Sequence, residues 1–314
     1  MINYIFDFII GITLFLFGIN TLTSSLKDFN KDKFHKLIKN TNNKYKGVFI
    51  GTIITALLQS SSFVTVLLIS LVDSGIMSLN NTIGIIMGSN IGTCITSWIL
   101  SLSSLGNYAS FFNLDNLIGI LALISIILLF RKKSKGANFT FGLIILILGM
   151  NIMSDSLIPL TENEIFFTLL NYLTNPLLGL LAGIIITAIF QSSSIVIGII
   201  ESLTMSNKIN FLLGFTLILG SNIGTCITAI IASINTNKTS KKVSMFHLIF
   251  NILGALIFLT SFYILNYFFN FSFTYKPINA FDIALIHTLF NLLSTIILLP
   301  FTKKMLNLCD YLVK

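Results

Sequence analysis

Two polar motifs occur twice in this chain, each inside apolar sequence. Gly88-Ser-Asn-Ile-Gly-Thr-Cys-Ile-Thr96 returns unchanged as Gly220 to Thr228, and Gln59-Ser-Ser-Ser62 returns as Gln191 to Ser194. Both copies lie 132 residues further on (59 to 191, 88 to 220). Between 51–96 and 183–228, 23 of 46 positions are identical, too many for shared hydrophobicity alone. A duplicated membrane unit of this kind places its binding site where the two copies meet.

Composition fixes the solvent. Of the 314 residues 54% are hydrophobic and only 10% charged, with a mean hydropathy of +0.92. Soluble domains carry about 25% charged residues. This chain cannot cover its apolar surface in water and reads as an integral membrane protein. Its apolar runs are continuous rather than alternating, so the spans are helices, not barrel strands. The segment Ile2 to Ile19 lacks a basic leader and is expected to be a retained helix. The net charge of +8 sits in short loops beside apolar runs, which is topology information rather than a nucleic-acid footprint. Cys94, Cys226 and Cys309 form no disulfide framework, and no Cys/His cluster has transition-metal spacing.

Lysine and arginine set the expected orientation. Seventeen of the 19 basic residues fall in four clusters, 27–46, 131–136, 236–242 and the C-terminus, all expected to be cytoplasmic. Three apolar segments, 48–72, 78–103 and 112–130, separate the first two clusters, and three full crossings would put these on opposite sides. The clash disappears if 48–72 enters and returns on one side. Gln59 to Ser62 would then be the tip of a re-entrant hairpin with two arms too short to span. The stretch 78–103 crosses once and is expected to be broken at Gly88 to Thr93. In the second copy, 139–157 exits to an acidic external loop at Glu162 and Glu164. A hairpin over 177–204 enters from outside with Gln191 to Ser194 at its tip, and 209–234 is broken at Gly220 to Thr225. Two closing helices, 243–268 and 280–301, follow. The first helices match at an offset of 131, as Gly18-Ile-Asn20 does with Gly149-Met-Asn151. The expected fold is therefore an all-α inverted-topology repeat: 1–136 is one unit and 137–314 the other, with two re-entrant hairpins and two broken transmembrane helices.

The chemistry follows from those tips and breaks. Backbone leaves a helix at membrane depth only where protein or a wet cavity satisfies it. Serine is a preferred N-cap, and the free N–H groups of a first helical turn bind anions. Ser60 to Ser62 and Ser192 to Ser194 would thus offer an uncharged oxyanion site. Gln59 and Gln191 can bridge, since an amide both donates and accepts. A co-bound cation would strengthen such a site, and Asn90, Thr93, Asn222 and Thr225 suit Na⁺.

Gln-Ser-Ser-Ser in each half, followed by Gly-Ser-Asn-Ile-Gly-Thr, resembles the type II sodium/phosphate cotransporter family and its bacterial relatives. The resemblance covers nearly the whole chain. It implies Na⁺-coupled symport of inorganic phosphate by alternating access at the cytoplasmic membrane, with no enzymatic activity and no cofactor beyond the coupling ion. It implies a phosphate site at Gln59, Ser60, Ser61, Ser62, Gln191, Ser192, Ser193 and Ser194. It implies sodium sites drawn from Ser61, Ser89, Asn90, Thr93, Gln191, Ser193, Ser221, Asn222 and Thr225. The expected partners are phosphate, Na⁺ and lipid, with a homodimer as one conceivable assembly. Some bacterial relatives append a cytoplasmic domain resembling phosphate regulators; this chain, ending at Lys314, is expected to be the short form. Rival readings are a carrier of sulfate or a dicarboxylate, an intramembrane serine hydrolase using His247 or His287, and a channel.

Four further features draw notice. His247 and His287 each precede an asparagine by four residues, one helical turn on the same face, and are expected mainly to bond between closing helices. Asp73 and Glu201 lie towards hairpin bases, where water can reach them, and either could act directly. Asp155 stands opposite Ser24 of the first copy, as a cation contact or a surface group. Trp98, Tyr4, Tyr108, Tyr263 and Tyr267 read as interface anchors.

Overall fold

The computed structural model describes residues 2–27, 38, 41, 43–101 and 114–313. Lys31, Lys33, Lys36, Lys39 and Tyr108 lie outside the described residues, so most of the first basic cluster does too. Thirteen α-helices are described: α1 Ile2–Lys27, α2 Lys44–Leu58, α3 Ser61–Asp73, α4 Leu79–Ser101, α5 Leu114–Phe130, α6 Ser134–Glu162, α7 Glu164–Leu173, α8 Pro176–Phe190, α9 Ser193–Thr204, α10 Phe211–Ser233, α11 Lys238–Phe269, α12 Ala280–Leu298 and α13 Thr302–Leu312. Six stretches are long and apolar enough to cross a membrane, namely Ile2–Leu22, Leu79–Ser101, Ser134–Glu162, Phe211–Ser233, Lys238–Phe269 and Ala280–Leu312.

The helices carrying the repeated nonapeptide form the centre. In their most apolar windows 78% of α4 and 67% of α10 is buried, against 17% of α1 and 28% of α11. Neither helix is broken. Both run without interruption through Gly88 to Thr93 and Gly220 to Thr225, contrary to the sequence expectation. The glycines do a different job. A Cβ on Gly84 would strike the Lys44 carbonyl, one on Gly88 the Val48 carbonyl, and one on Gly92 would lie 2.5 Å from the Thr52 carbonyl. In the second half Gly220 and Gly224 meet the Leu180 and Ile184 carbonyls in the same way. Glycine here brings two helix backbones into contact, as small residues do in membranes. Thr52 Oγ1 adds a 3.1 Å bond to the Gly88 carbonyl.

These contacts fix the course of the chain. Residues 44, 48 and 52 meet 84, 88 and 92 in order, so α2 and α4 run parallel. Only five residues, 74–78, join α3 to α4. Hence α3 runs back alongside them, and α2–α3 is a hairpin with its apex at Gln59. The same argument makes α8–α9 a hairpin with its apex at Gln191. Its base lies near the start of α10, where Phe211 N–H bonds the Lys276 carbonyl. The base of the first hairpin lies at the other end of α10, because Asp73 Oδ1 accepts from the Asn237 N–H (2.9 Å) and from Ser240 Oγ (3.2 Å) at the start of α11. Asp73 is thus a helix cap. The two return arms cross over: α3 packs on α10 and α11, and α9 packs on α4 and α12.

Helices α1 and α6 pack antiparallel through exchanged contacts. Gly18 meets Leu146 while Gly149 meets Phe15, and Gly11 meets Met153 while Gly142 meets Leu22. Each pair maps onto the other at the 131-residue offset.

Two helices escaped the sequence reading. The amphipathic α7 follows the Glu162 turn, capped by Asn163, and meets α8 at a bend of 106°. Beyond Pro300, where the last helix was expected to end, a 3-10 turn leads into α13, tied back by a 2.6 Å Lys242–Asp310 ion pair. Trp98 turns inward: its Nε1 donates to Thr288 Oγ1 (2.8 Å) and its ring meets Phe281 edge-on.

Candidate functional site: two hairpin apices against two glycine-seamed helices

The apices are near copies of each other. Gln59 (φ 51, ψ 30) and Gln191 (φ 52, ψ 25) are both left-handed, and each N–H returns to the threonine carbonyl four residues earlier at 2.7 Å. The left-handed residue ends one helix, and the extended serine that follows, Ser60 or Ser192, starts the next. The serine triplets therefore sit where expected, at the starts of α3 and α9. Ser60 Oγ accepts from the Phe63 N–H (3.2 Å). The N–H groups of Ser61 and Ser62, and of Ser193 and Ser194, open the two helices at the positive ends of their dipoles. That arrangement suits an anion.

The repeated nonapeptides present the opposite polarity. Ser89 Oγ donates to the Ile86 carbonyl (2.8 Å), Thr93 Oγ1 to the Ser89 carbonyl (3.0 Å) and Thr225 Oγ1 to the Ser221 carbonyl (2.9 Å). A hydroxyl whose hydrogen is held by its own helix offers only lone pairs to a third group. That suits a hard cation.

The closing helices lock onto these residues. Asn251 Nδ2 donates to the His247 carbonyl (2.9 Å) and to Cys226 Sγ, and Asn291 Nδ2 donates to the His287 carbonyl (3.0 Å) and to Cys94 Sγ. Cys94 and Cys226 in turn reach the His287 and His247 carbonyls. The cysteines are therefore links between helices.

Chemically equivalent residues are bonded differently in the two halves. In the first, Thr96 Oγ1 donates to Gln59 Oε1 (2.7 Å); the equivalent Thr228 Oγ1 is buried with no partner. Asn90 Nδ2 donates to Asn251 Oδ1 (2.7 Å), and His247 Nε2 lies 3.3 Å from Asn90 Oδ1. In the second, Asn222 Nδ2 turns to the Ile218 carbonyl of its own helix, leaving Asn291 Oδ1 and both ring nitrogens of His287 buried and unpaired. His247 thus makes the expected interhelical bond and His287 does not. Gln59 is half-buried and Gln191 is exposed. A double-mutant cycle should detect this difference. Asn90→Ala with Asn251→Ala should couple by about 1–2 kcal/mol in thermal unfolding, and Asn222→Ala with Asn291→Ala by less than about 0.5 kcal/mol. Equal coupling in both pairs would show that the halves are bonded alike.

Sequence reasoning missed Thr96, Ser97, Asn251 and Asn291 as partners. The signal for Thr96 was present, since it closes the repeated nonapeptide. It misjudged Glu201, which is buried (1% exposed) rather than reached by water at a hairpin base.

The family described as Na⁺/Pi-cotransporter matches residues 14–155 and, a second time, residues 145–281. The chain belongs to this Na⁺/Pi-cotransporter family. It is accordingly a multi-pass membrane transporter and not an enzyme. It is similar to the uncharacterized protein YqeW of Bacillus subtilis (strain 168), at 31% identity over 309 residues and 96% of each chain. It is 26% identical over 272 residues to YjbB of Escherichia coli (strain K12), which is named as a proposed inorganic phosphate exporter. That match takes in 84% of this chain and 47% of YjbB, so this chain spans about half the length of that relative. A shorter stretch, 69 residues at 42% identity, resembles sodium-dependent phosphate transport protein 2A of Oryctolagus cuniculus and covers 22% of this chain and 11% of that protein. No solved structure matches the chain.

Proposed function

We propose that the protein is a Na⁺-coupled symporter of inorganic phosphate working by alternating access between two inverted repeats, 1–136 and 137–314. One observation carries the reading: two hairpin apices of matched backbone geometry, each a left-handed glutamine followed by a serine helix start, rise from bases at opposite ends of α10. In a membrane they are re-entrant, one from each face. The orientation follows the basic loops, with 131–136, 236–242 and the C-terminus cytoplasmic.

Phosphate takes donors from the helix starts of α3 and α9 and from Ser60 to Ser62 and Ser192 to Ser194, with Gln59 and Gln191 closing around it. Sodium takes oxygens from Ser61, Ser89, Asn90, Thr93, Gln191, Ser193, Ser221, Asn222 and Thr225. The cation offsets the cost of holding an anion where, among the described residues, no lysine or arginine is buried. The unequal bonding of equivalent residues supports alternating access, because two like halves caught in different states are what a two-state carrier requires.

The test is uptake of labelled phosphate into proteoliposomes after a Na⁺ jump, with arsenate, sulfate and succinate as competitors. Uptake should need Na⁺ and yield to arsenate. Uptake indifferent to Na⁺ rejects the coupling. Stronger competition by sulfate or succinate than by arsenate moves the protein to the second reading, a carrier of another oxyanion, since helix starts and hydroxyls hold any oxyanion.

A further inference from the structure

Among the described residues Glu201 is the acidic side chain in the buried class, at 1% exposure. It sits in the return arm α9, eight residues beyond Ser193 and so about 12 Å along the helix. Ser97 Oγ of α4 donates to its Oε1 at 2.7 Å. Its Oε2 is buried and has no partner. The repeat equivalents of this pair are Ile69 and Ala229, so the carboxyl and its hydroxyl partner are present in one half only.

An unpaired carboxylate at membrane depth is costly and must be neutralised. No lysine or arginine is bonded to it. Of the titratable groups on the helices packed against α9, Cys94 of α4, Cys226 of α10 and His287 of α12 are buried. Asp282 of α12 is half-buried in a helix-capping bond. Tyr4 and Asp7 of α1 and Lys135, Asp155 and Glu162 of α6 are exposed, and α8 carries none. A hard metal cation wants about six oxygen ligands, and Ser97 Oγ is the one oxygen bonded to the Glu201 carboxyl. A proton needs no such shell.

We propose that Glu201, held by Ser97, is a proton-binding site of the transport cycle. The O–H bond forms at Oε2 while the arm is buried, and the proton returns to water when α9 opens. The loaded state is read at the first apex, because the residue before Ser97, Thr96, holds Gln59 Oε1. The site itself, Glu201 with Ser97, lies beyond the phosphate and sodium assignments and meets them only through Gln59.

Infrared titration of the reconstituted protein in D2O decides it. The wild type should show a carboxylic-acid carbonyl band that disappears in Glu201→Gln and shifts in Ser97→Ala. Phosphate exchange by Glu201→Gln should persist, and the ratio of wild-type to variant rate should change by about tenfold over roughly pH 5 to 8. Phosphate's own titration is common to both proteins and cancels. An infrared band unchanged in Glu201→Gln overturns the proposal. Should that variant fail to fold, an unshifted band in Ser97→Ala overturns it equally. A protein that moves no phosphate still gives the infrared answer, so failure of the transport reading and failure of the proton site stay distinguishable.

Discussion

Alanine at Gln59 or Gln191 is expected to lower Na⁺-dependent phosphate uptake by about tenfold to a hundredfold. A hydrogen bond to a charged ligand contributes about 1.5–3 kcal/mol, and each 1.4 kcal/mol is a factor of ten. The fold should survive. Glutamine and alanine bear a similar cost in the left-handed region, about 1–2 kcal/mol, so the turn itself is nearly unaffected. Gln59→Ala additionally leaves Thr96 Oγ1 without its partner, the condition Thr228 Oγ1 already occupies in the other half. Gln59→Glu should be more damaging for transport than alanine, because it sets a negative charge beside the anion. The checks are uptake in proteoliposomes beside thermal unfolding in detergent. Wild-type uptake in both alanine variants would remove the apices from the binding site.

Leucine at Gly88 or Gly220 is expected to cost about 3 kcal/mol or more and to leave little folded protein. A side chain at either position drives into the backbone carbonyl of the parallel helix, Val48 or Leu180, which cannot swing aside as a side-chain tip can. Gly119 in α5 is the control. No heavy atom lies within 4 Å of where its Cβ would be, so Gly119→Ala should be neutral or favourable by up to about 1 kcal/mol. Yield and melting temperature measure both. Normal folding of the Gly88 and Gly220 leucine variants would mean that the seams are looser than described.

Much of this arrangement was written locally. Gln-Ser-Ser-Ser specifies a helix end followed by a helix start, which is what Gln59–Ser60 and Gln191–Ser192 form. The nonapeptide misled for a physical reason. Glycine both weakens a helix and admits a second backbone close to it, and the motif alone cannot separate the two uses. The fourfold spacing of Gly84, Gly88 and Gly92 puts them on one face, which favours the second. Glu201 was misjudged because the group that meets its carboxyl, Ser97 of α4, lies 104 residues away in sequence. The amphipathic α7 and α13 were missed because a search for apolar runs passes over helices with a polar face. The unequal bonding of the two halves has no counterpart in the sequence, since identical motifs cannot report different states.

The seams between α2 and α4 and between α8 and α10 weld each entry arm to the long helix beside it, like rails bolted to a bed. Sliding along such a contact would drive glycine positions into the next turn of side chains. On the proposed reading, the stroke that changes access therefore falls to the short return arms, each levering against the opposite half. Cross-links that pin α3 to α10, or α9 to α4, should then stall turnover, while staples within a rail should leave it running.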